Sequence, residues 1–195
     1  MTALPEPPSH LLTVAEYAAL GETEPGYTEL QEGRILMSPS PTPEHNIASG
    51  ELYVQLRAQA PDDFVVIQDI DIDLELTPAD HPGFSRRPDM VVVSRAERQR
   101  VRKEGGILRA SEVILVVEIV SPGSRRTDYM IKRDEYADAR IPHYWIVDIS
   151  EPVSLHALHH AGDFGYQETP AVTAEYSAIE PFPVKIQVDQ LSERD

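Results

Sequence analysis

Apolar residues in this chain come in short runs between polar segments, and the most continuous run, Val113 to Val117, sets the plan. A strand that is apolar on both faces belongs in the middle of a sheet covered on both sides. This one delivers a single carboxylate, Glu118, and then enters a Ser-Pro-Gly-Ser turn. A polar helix follows, with Asp128, Lys132 and Tyr136 four residues apart, and a second apolar strand, Tyr144 to Val147, closes the unit. A glutamate buried at the end of such a strand costs free energy unless it is paired or holds a metal.

Elsewhere the pattern predicts a strand-rich α/β or α+β chain with few helices. Thr13 and Glu16 form a capping box for a helix over Val14 to Leu20. Tyr27 to Leu30 and Arg34 to Met37 read as a hairpin, and Glu44 to Ala60 as an amphipathic helix. Phe64 to Ile67 is a short strand. Asp69 to Leu76 alternates strictly, the period of a half-buried strand. Pro78 to Arg87 reads as loop, and Pro88 opens a strand over Asp89 to Val93. Arg95 to Arg109 reads as a solvated basic loop, with a phosphate-binding patch that offsets the acidic surface as the alternative. Further strands fall near Val153 to Leu158, Phe164 to Glu168 and Pro183 to Val188. Residues 1–11, rich in proline, form a flexible lead-in, and 12–195 a single domain.

Composition narrows the class. The 41% hydrophobic and 26% charged content is that of a globular protein, and no cysteine is present for disulfides or thiolate metal sites. The N-terminus has no positive segment before an apolar core, and no apolar run approaches the roughly 20 residues that span a bilayer. A cytoplasmic protein without a membrane span is the expectation. Thirty-three acids against 17 Lys and Arg give a net charge of −16, which repels nucleic acid unless a local basic patch or a bound metal compensates.

The candidate chemistry lies in three residues. Asp89, in Arg-Pro-Asp-Met, opens one strand and Glu118 ends another; if the strands are neighbours, both carboxylates meet at one sheet edge. Two hard oxygen ligands suit Mg²⁺ or Mn²⁺. Lys132, on the following helix, can reach back to orient a water and stabilise charge developing on a phosphate.

The segments TELQEGRILMSP, RPDMVVVS, VVEIVSPGSRRTDYMIKRDEYA and IPHYWIVD resemble the Uma-two family of the PD-(D/E)XK restriction-endonuclease-like superfamily. The resemblance runs from about Leu12 to the C-terminus. It implies a restriction-endonuclease-like core, a central mixed β-sheet flanked by helices, with extra N- and C-terminal strands. It also implies a Mg²⁺- or Mn²⁺-dependent endonuclease that hydrolyses phosphodiester bonds in DNA and assembles as a homodimer or higher homo-oligomer. Asp89 matches the Pro-Asp aspartate and Glu118 the second acid, both as metal ligands. Val120 stands where the superfamily has lysine, so the catalytic lysine falls on Lys132. Glu29 and His45 match accessory positions. Arg140 and His143 depart from the family pattern.

Plainer readings exist for each residue. Asp89 can cap a turn, Glu118 can pair with Arg125 or Arg126, and Lys132 can pair with Asp128 on an exposed helix face. His45 reads as a helix-end residue, Ser121 and Ser124 as caps, Tyr136 and Trp145 as core, and His156, His159 and His160 as surface. Two other functions fit the same residues: a nuclease-like scaffold that no longer cuts, and a small-phosphate hydrolase using the same metal site.

Overall fold

The computed structural model describes residues 10–21, 27–38, 40–120 and 123–192. Most of the expected lead-in (residues 1–9), the loop expected over 22–26, and Ser121 lie outside them. The elements are α1 (Val14–Leu20), β1 (Thr28–Gln31), β2 (Arg34–Met37), α2 (Pro43–Gln59), β3 (Phe64–Gln68), β4 (Ile72–Asp73), β5 (Ser85–Arg86), β6 (Met90–Ser94), α3 (Arg95–Glu104), β7 (Leu108–Arg109) and β8 (Val113–Val120). After these come a π-helical turn (Thr127–Lys132), α4 (Arg133–Asp138), β9 (His143–Asp148), β10 (Ser154–His160), β11 (Tyr166–Glu168), β12 (Glu175–Ala178) and β13 (Val184–Gln187). The architecture is mixed α+β with helices against central mixed sheets.

The largest sheet has the order β11-β10-β9-β8-β6-β3, and only its β8–β9 pairing is parallel. Parallel neighbours need a crossover, here the π-turn and α4. Along β8, Leu115, Val117 and Ile119 face one core with Leu52 and Leu56 of α2, Trp145 of β9 and Ile186 of β13. Val116 and Val120 face the other core, with Tyr136, Tyr144 and Ile146. Both faces are therefore covered, as the unbroken apolar run requires. The register slips between Val92 and Val93, which pair with Leu115 and Val113, so Ile114 is accommodated as a bulge.

A second sheet, β2-β1-β5-β4-β7, stands beside the first. Its hairpin turns at Glu32 and Gly33, both with positive φ (49° and 74°), the left-handed pair that a two-residue turn of this hand demands. A Cβ on Gly33 would sit 2.9 Å from the backbone of Leu12, so glycine is required there twice over.

Five expectations change, the first being that Ser85–Arg86, inside the expected loop Pro78 to Arg87, pairs as strand β5. Asp69 to Leu76 is not a continuous strand: Asp69 and Glu75 have φ of 48° and 55°, and only Ile72–Asp73 pairs. The Asp73 carboxylate accepts from the Glu75 N–H at 2.9 Å, a local turn that outcompetes the ladder. The basic segment is a helix and a short strand rather than a loop, because Ser94 caps Glu97 N–H at 3.1 Å and starts α3. The polar helix opens as a π-turn. Strand β12, in a stretch of mixed polar residues, was not expected. Among the described residues, no helix is long and apolar enough to cross a membrane.

Candidate functional site

Asp89 immediately precedes β6, and its neighbour Met90 pairs with Val117 of antiparallel β8. Continuing that register by one step sets Asp89 beside Glu118. The Asp89 side chain is fixed at both oxygens: Oδ2 accepts from the Ile119 N–H at 2.6 Å, and Oδ1 lies 3.0 Å from His45 Nε2. His45 is delivered by the start of α2, where Thr42 caps its backbone N–H and Pro43 fits the first helical turn. Among the described residues, its Nδ1 is buried with no hydrogen-bond partner.

Glu118 is 3% exposed. Its Oε1 accepts from Lys132 Nζ at 3.0 Å and from Tyr136 Oη at 2.7 Å. Lys132 Nζ also lies 3.2 Å from Glu29 Oε1 and 3.5 Å from Asp128 Oδ1. One ammonium is thus shared by three carboxylates from β8, the π-turn and the hairpin. The π-turn places Asp128 and Lys132 on one side and α4 adds Tyr136. A widened turn of this kind is a recurrent feature of functional sites.

Behind this group, the guanidinium of Arg86, 1% exposed, binds Glu135 through Nε (2.5 Å) and Nη2 (2.7 Å) and Glu29 through Nη1 (2.8 Å). Gln31 donates to Glu135 at 2.9 Å. Arg86 thereby ties the hairpin to α4 and fixes the side of Glu29 that meets Lys132. The next residue, Arg87, donates its backbone N–H to Glu29 at 3.2 Å and grips Asp71 with two bonds of 2.9 and 2.7 Å.

These groups surround a cleft of about 270 Å³. Five carboxylates line it, Glu29, Asp69, Asp89, Glu118 and Asp128, against three cations, Arg86, Arg87 and Lys132. Two of those cations also serve carboxylates outside the lining, Glu135 and Asp71. The cleft therefore holds surplus negative charge, and its titrations follow. Burial pushes the Glu118 carboxyl well above the ordinary range; Lys132 opposes this, while Asp128 and Asp89 add to it. Burial and Asp89 raise Asp69 too. Burial raises Asp128 against the pull of Lys132. Burial works against the Lys132 charge, but Glu118, Glu29 and Asp128 outweigh it, so the ammonium keeps its proton more firmly than an ordinary lysine. Burial would also raise Glu29, yet Lys132 and Arg86 hold it below its usual value. For His45, contact with Asp89 overcomes burial and raises the imidazole.

A hard divalent cation fits this donor set, all oxygen and short of positive charge. Among the described residues, no three Asp, Glu or His side chains form a ready ligand group. Asp89 and Glu118 both line the cleft, the first at its edge and the second buried.

All five residues singled out in the sequence, Asp89, Glu118, Lys132, Glu29 and His45, line this one cleft. Glu118 does not pair with Arg125, which binds Asp148 at 2.8 Å instead. Lys132 does meet Asp128, but buried rather than on an exposed face. His156 and His160 are half-buried, on Glu168 (2.9 Å) and the Ala137 carbonyl (3.0 Å). Sequence reasoning missed Arg86, Asp69 and Glu135. Arg86 sits in a proline-rich stretch that reads as loop, and nothing in its neighbours marks it as buried. Tyr136 was readable: it continues the four-residue stripe through Asp128 and Lys132.

The comparisons with known proteins agree with this architecture. No curated protein matches the chain. Among solved structures, one from Anabaena variabilis, titled a putative nuclease belonging to DUF820, matches with a TM-score of 0.66 at 19% identity. The match covers 92% of this chain and 97% of that one, and shows a shared restriction-endonuclease-like fold. The family model Uma2, described as "Putative restriction endonuclease", matches residues 14–190. With nearly its whole length matched, the chain belongs to the Uma2 family.

Proposed function

We propose that this chain is a divalent-metal-dependent endonuclease acting on DNA. The observation that carries the reading is the buried Lys132 ammonium on Glu118, in the same cleft as Asp89 and under surplus negative charge. Asp89 and Glu118 would hold Mg²⁺ or Mn²⁺. Bound there, the metal would polarise a phosphate oxygen and acidify a water. Lys132 does not serve as a base, because three carboxylates hold its proton. It acts as a fixed positive charge that holds Glu118 and Glu29 in place and eases the build-up of negative charge beside Asp89 and Glu118. Tyr136 and Arg86 position this pair, Tyr136 through Glu118 and Arg86 through Glu29.

The test is cleavage of plasmid and linear DNA by the purified protein in Mg²⁺, Mn²⁺ or chelator. Cleavage that needs the metal and disappears in Asp89→Asn and Glu118→Gln supports the reading. Metal-independent cleavage, or full activity in both variants, removes it. Absence of Mn²⁺ binding at millimolar concentration would favour a scaffold that does not cut.

A second reading has its own observation. The net charge is −16, and none of the basic residues of Arg95 to Arg109 lines the cleft. Both facts favour a small phosphate ester as substrate over a long polyanion. A screen of nucleotides and phosphate monoesters separates the two.

A further inference from the structure

The mouth of the cleft is apolar where a duplex-binding nuclease needs cations. Of the lining cations, Arg86 and Lys132 are buried and shared among carboxylates, and Arg87 is engaged by Asp71. Duplex binding draws most of its strength from neutralised phosphates, and the described lining holds no free cation for that purpose. What it presents instead is Tyr27, Leu36, Met37 and Ile131, 42%, 39%, 53% and 38% exposed.

The placement follows from strand geometry. Tyr27 is two residues from Glu29, and Leu36 is the cross-strand partner of Glu29. All three therefore lie on one face of the hairpin, with Glu29 at the ammonium and the other two toward the rim. Ile131 stands across from them, one residue before Lys132. The Arg87 guanidinium lies 5.1 Å from the Tyr27 ring centroid, so the ring has a cationic neighbour that holds it. An aromatic ring with aliphatic neighbours, beside a phosphodiester site, is the arrangement that takes a nucleobase. Base stacking adds affinity of its own beyond phosphate neutralisation, and tolerates any base because each has a π-face. A cleft of about 270 Å³ is small, at the lower end of ligand pockets.

We propose that the substrate is single-stranded nucleic acid, one base of which stacks on Tyr27 between Leu36 and Ile131 while the adjoining phosphodiester lies over Asp89 and Glu118. This rests on the nuclease reading above and narrows its substrate.

The experiment offers one oligonucleotide sequence, single-stranded and as a duplex, to the full-length protein in Mn²⁺, with bis(p-nitrophenyl) phosphate as a diester lacking a base. Single strands are expected to be cut with at least about tenfold higher kcat/KM than duplex. Tyr27→Ala should raise KM for the single strand by about five- to a hundredfold, the range that loss of one stacked base gives. Tyr27→Phe should keep KM near that of the wild type. Leu36→Ser serves as a second variant should Tyr27→Ala fold poorly, with the same direction expected. If duplex is cut equally well and neither rim variant moves KM, this inference falls and the nuclease reading stands. Hydrolysis of the base-free diester alone, or a rim variant that alters oligomeric state and leaves KM unchanged, also overturns it. If no diester is hydrolysed, the nuclease reading falls and takes this one with it.

Discussion

Two buried glutamates, Glu97 and Glu118, meet cations in opposite circumstances. Glu97 accepts from Arg100 at 2.6 and 2.8 Å, from Arg109 at 2.9 Å, and from the Arg109 backbone N–H at 3.1 Å. Burial works against its charge, but the two guanidiniums overcome that and hold the carboxyl down at about 2. Glu118 has one shared ammonium and a tyrosine hydroxyl, with Asp128, Asp89 and Glu29 close by. Burial and those acids push its carboxyl up. The first cluster completes itself and ties α3 to β7. In the second, three carboxylates share one ammonium, and burial leaves Glu118 raised. A buried ion pair alone says little about function; the sign of its imbalance says more.

Lys132→Met breaks the comparison most severely. It leaves Glu118, Glu29 and Asp128 buried without their shared cation, and removing one partner of a buried pair costs about 3–5 kcal/mol. The melting temperature should fall by roughly 6–20 °C, given about 2–4 °C per kcal/mol at this size. Metal-dependent cleavage should vanish even below the new transition. A variant that melts normally and still cuts would show that the ammonium neither holds the cluster nor serves the chemistry.

Glu97→Gln probes the self-contained cluster. Arg100 and Arg109 are partly solvated (22% and 43% exposed side chains), so their orphaned charges are rehydrated, and the loss is about 1–3 kcal/mol from the hydrogen bonds of the buried carboxylate. Cleavage and metal response should not change. The pH dependence has a definite sign. A carboxyl depressed from 4.5 to about 2 contributes stability that is present above pH 4.5 and lost as pH falls toward 2. Acid unfolding of the wild type should therefore be steeper between those values than that of Glu97→Gln. Equal slopes would place the acid lability elsewhere.

The two clusters also differ in how far the sequence exposes them. Glu118, Asp128, Lys132 and Tyr136 fall in one continuous strand–helix unit, where an apolar run and a four-residue stripe declare which side chains converge. Asp89 is legible because a strand opens directly after it. Glu29 and His45 lie far upstream of that unit in the chain, so only the family resemblance pointed to them. Arg86 and Asp69 were invisible for a physical reason. Both depend on short, irregular backbone: a two-residue strand at Ser85–Arg86 and a positive φ at Asp69. Periodicity cannot register elements that short. The basic segment failed differently: counting charges gave a solvated loop, whereas Ser94 and Glu97, capping and pairing, make it a helix.

Glu118→Gln sharpens the comparison most finely, because it moves stability and activity in opposite directions. Glutamine has the same shape, and its carbonyl can still accept from Lys132 and Tyr136. The buried acid group loses one negative charge, while Lys132 keeps Glu29 and Asp128 as partners. Since burial raises the Glu118 carboxyl in the folded chain, the unfolded chain ionises first, so stability is lost as pH rises from the ordinary carboxyl value through the elevated one, and nothing is lost below the ordinary value. The metal-free variant should therefore be more stable than wild type by about 0.5–2 kcal/mol on the alkaline side, with the gain shrinking toward pH 5. Millimolar Mn²⁺ should erase the difference by stabilising only the wild type, by about 1.4 kcal/mol at ten times its Kd. Parallel melting curves across pH, with and without Mn²⁺, provide the measurement. A variant less stable than wild type at every pH would mean that Glu118 is already balanced as Glu97 is.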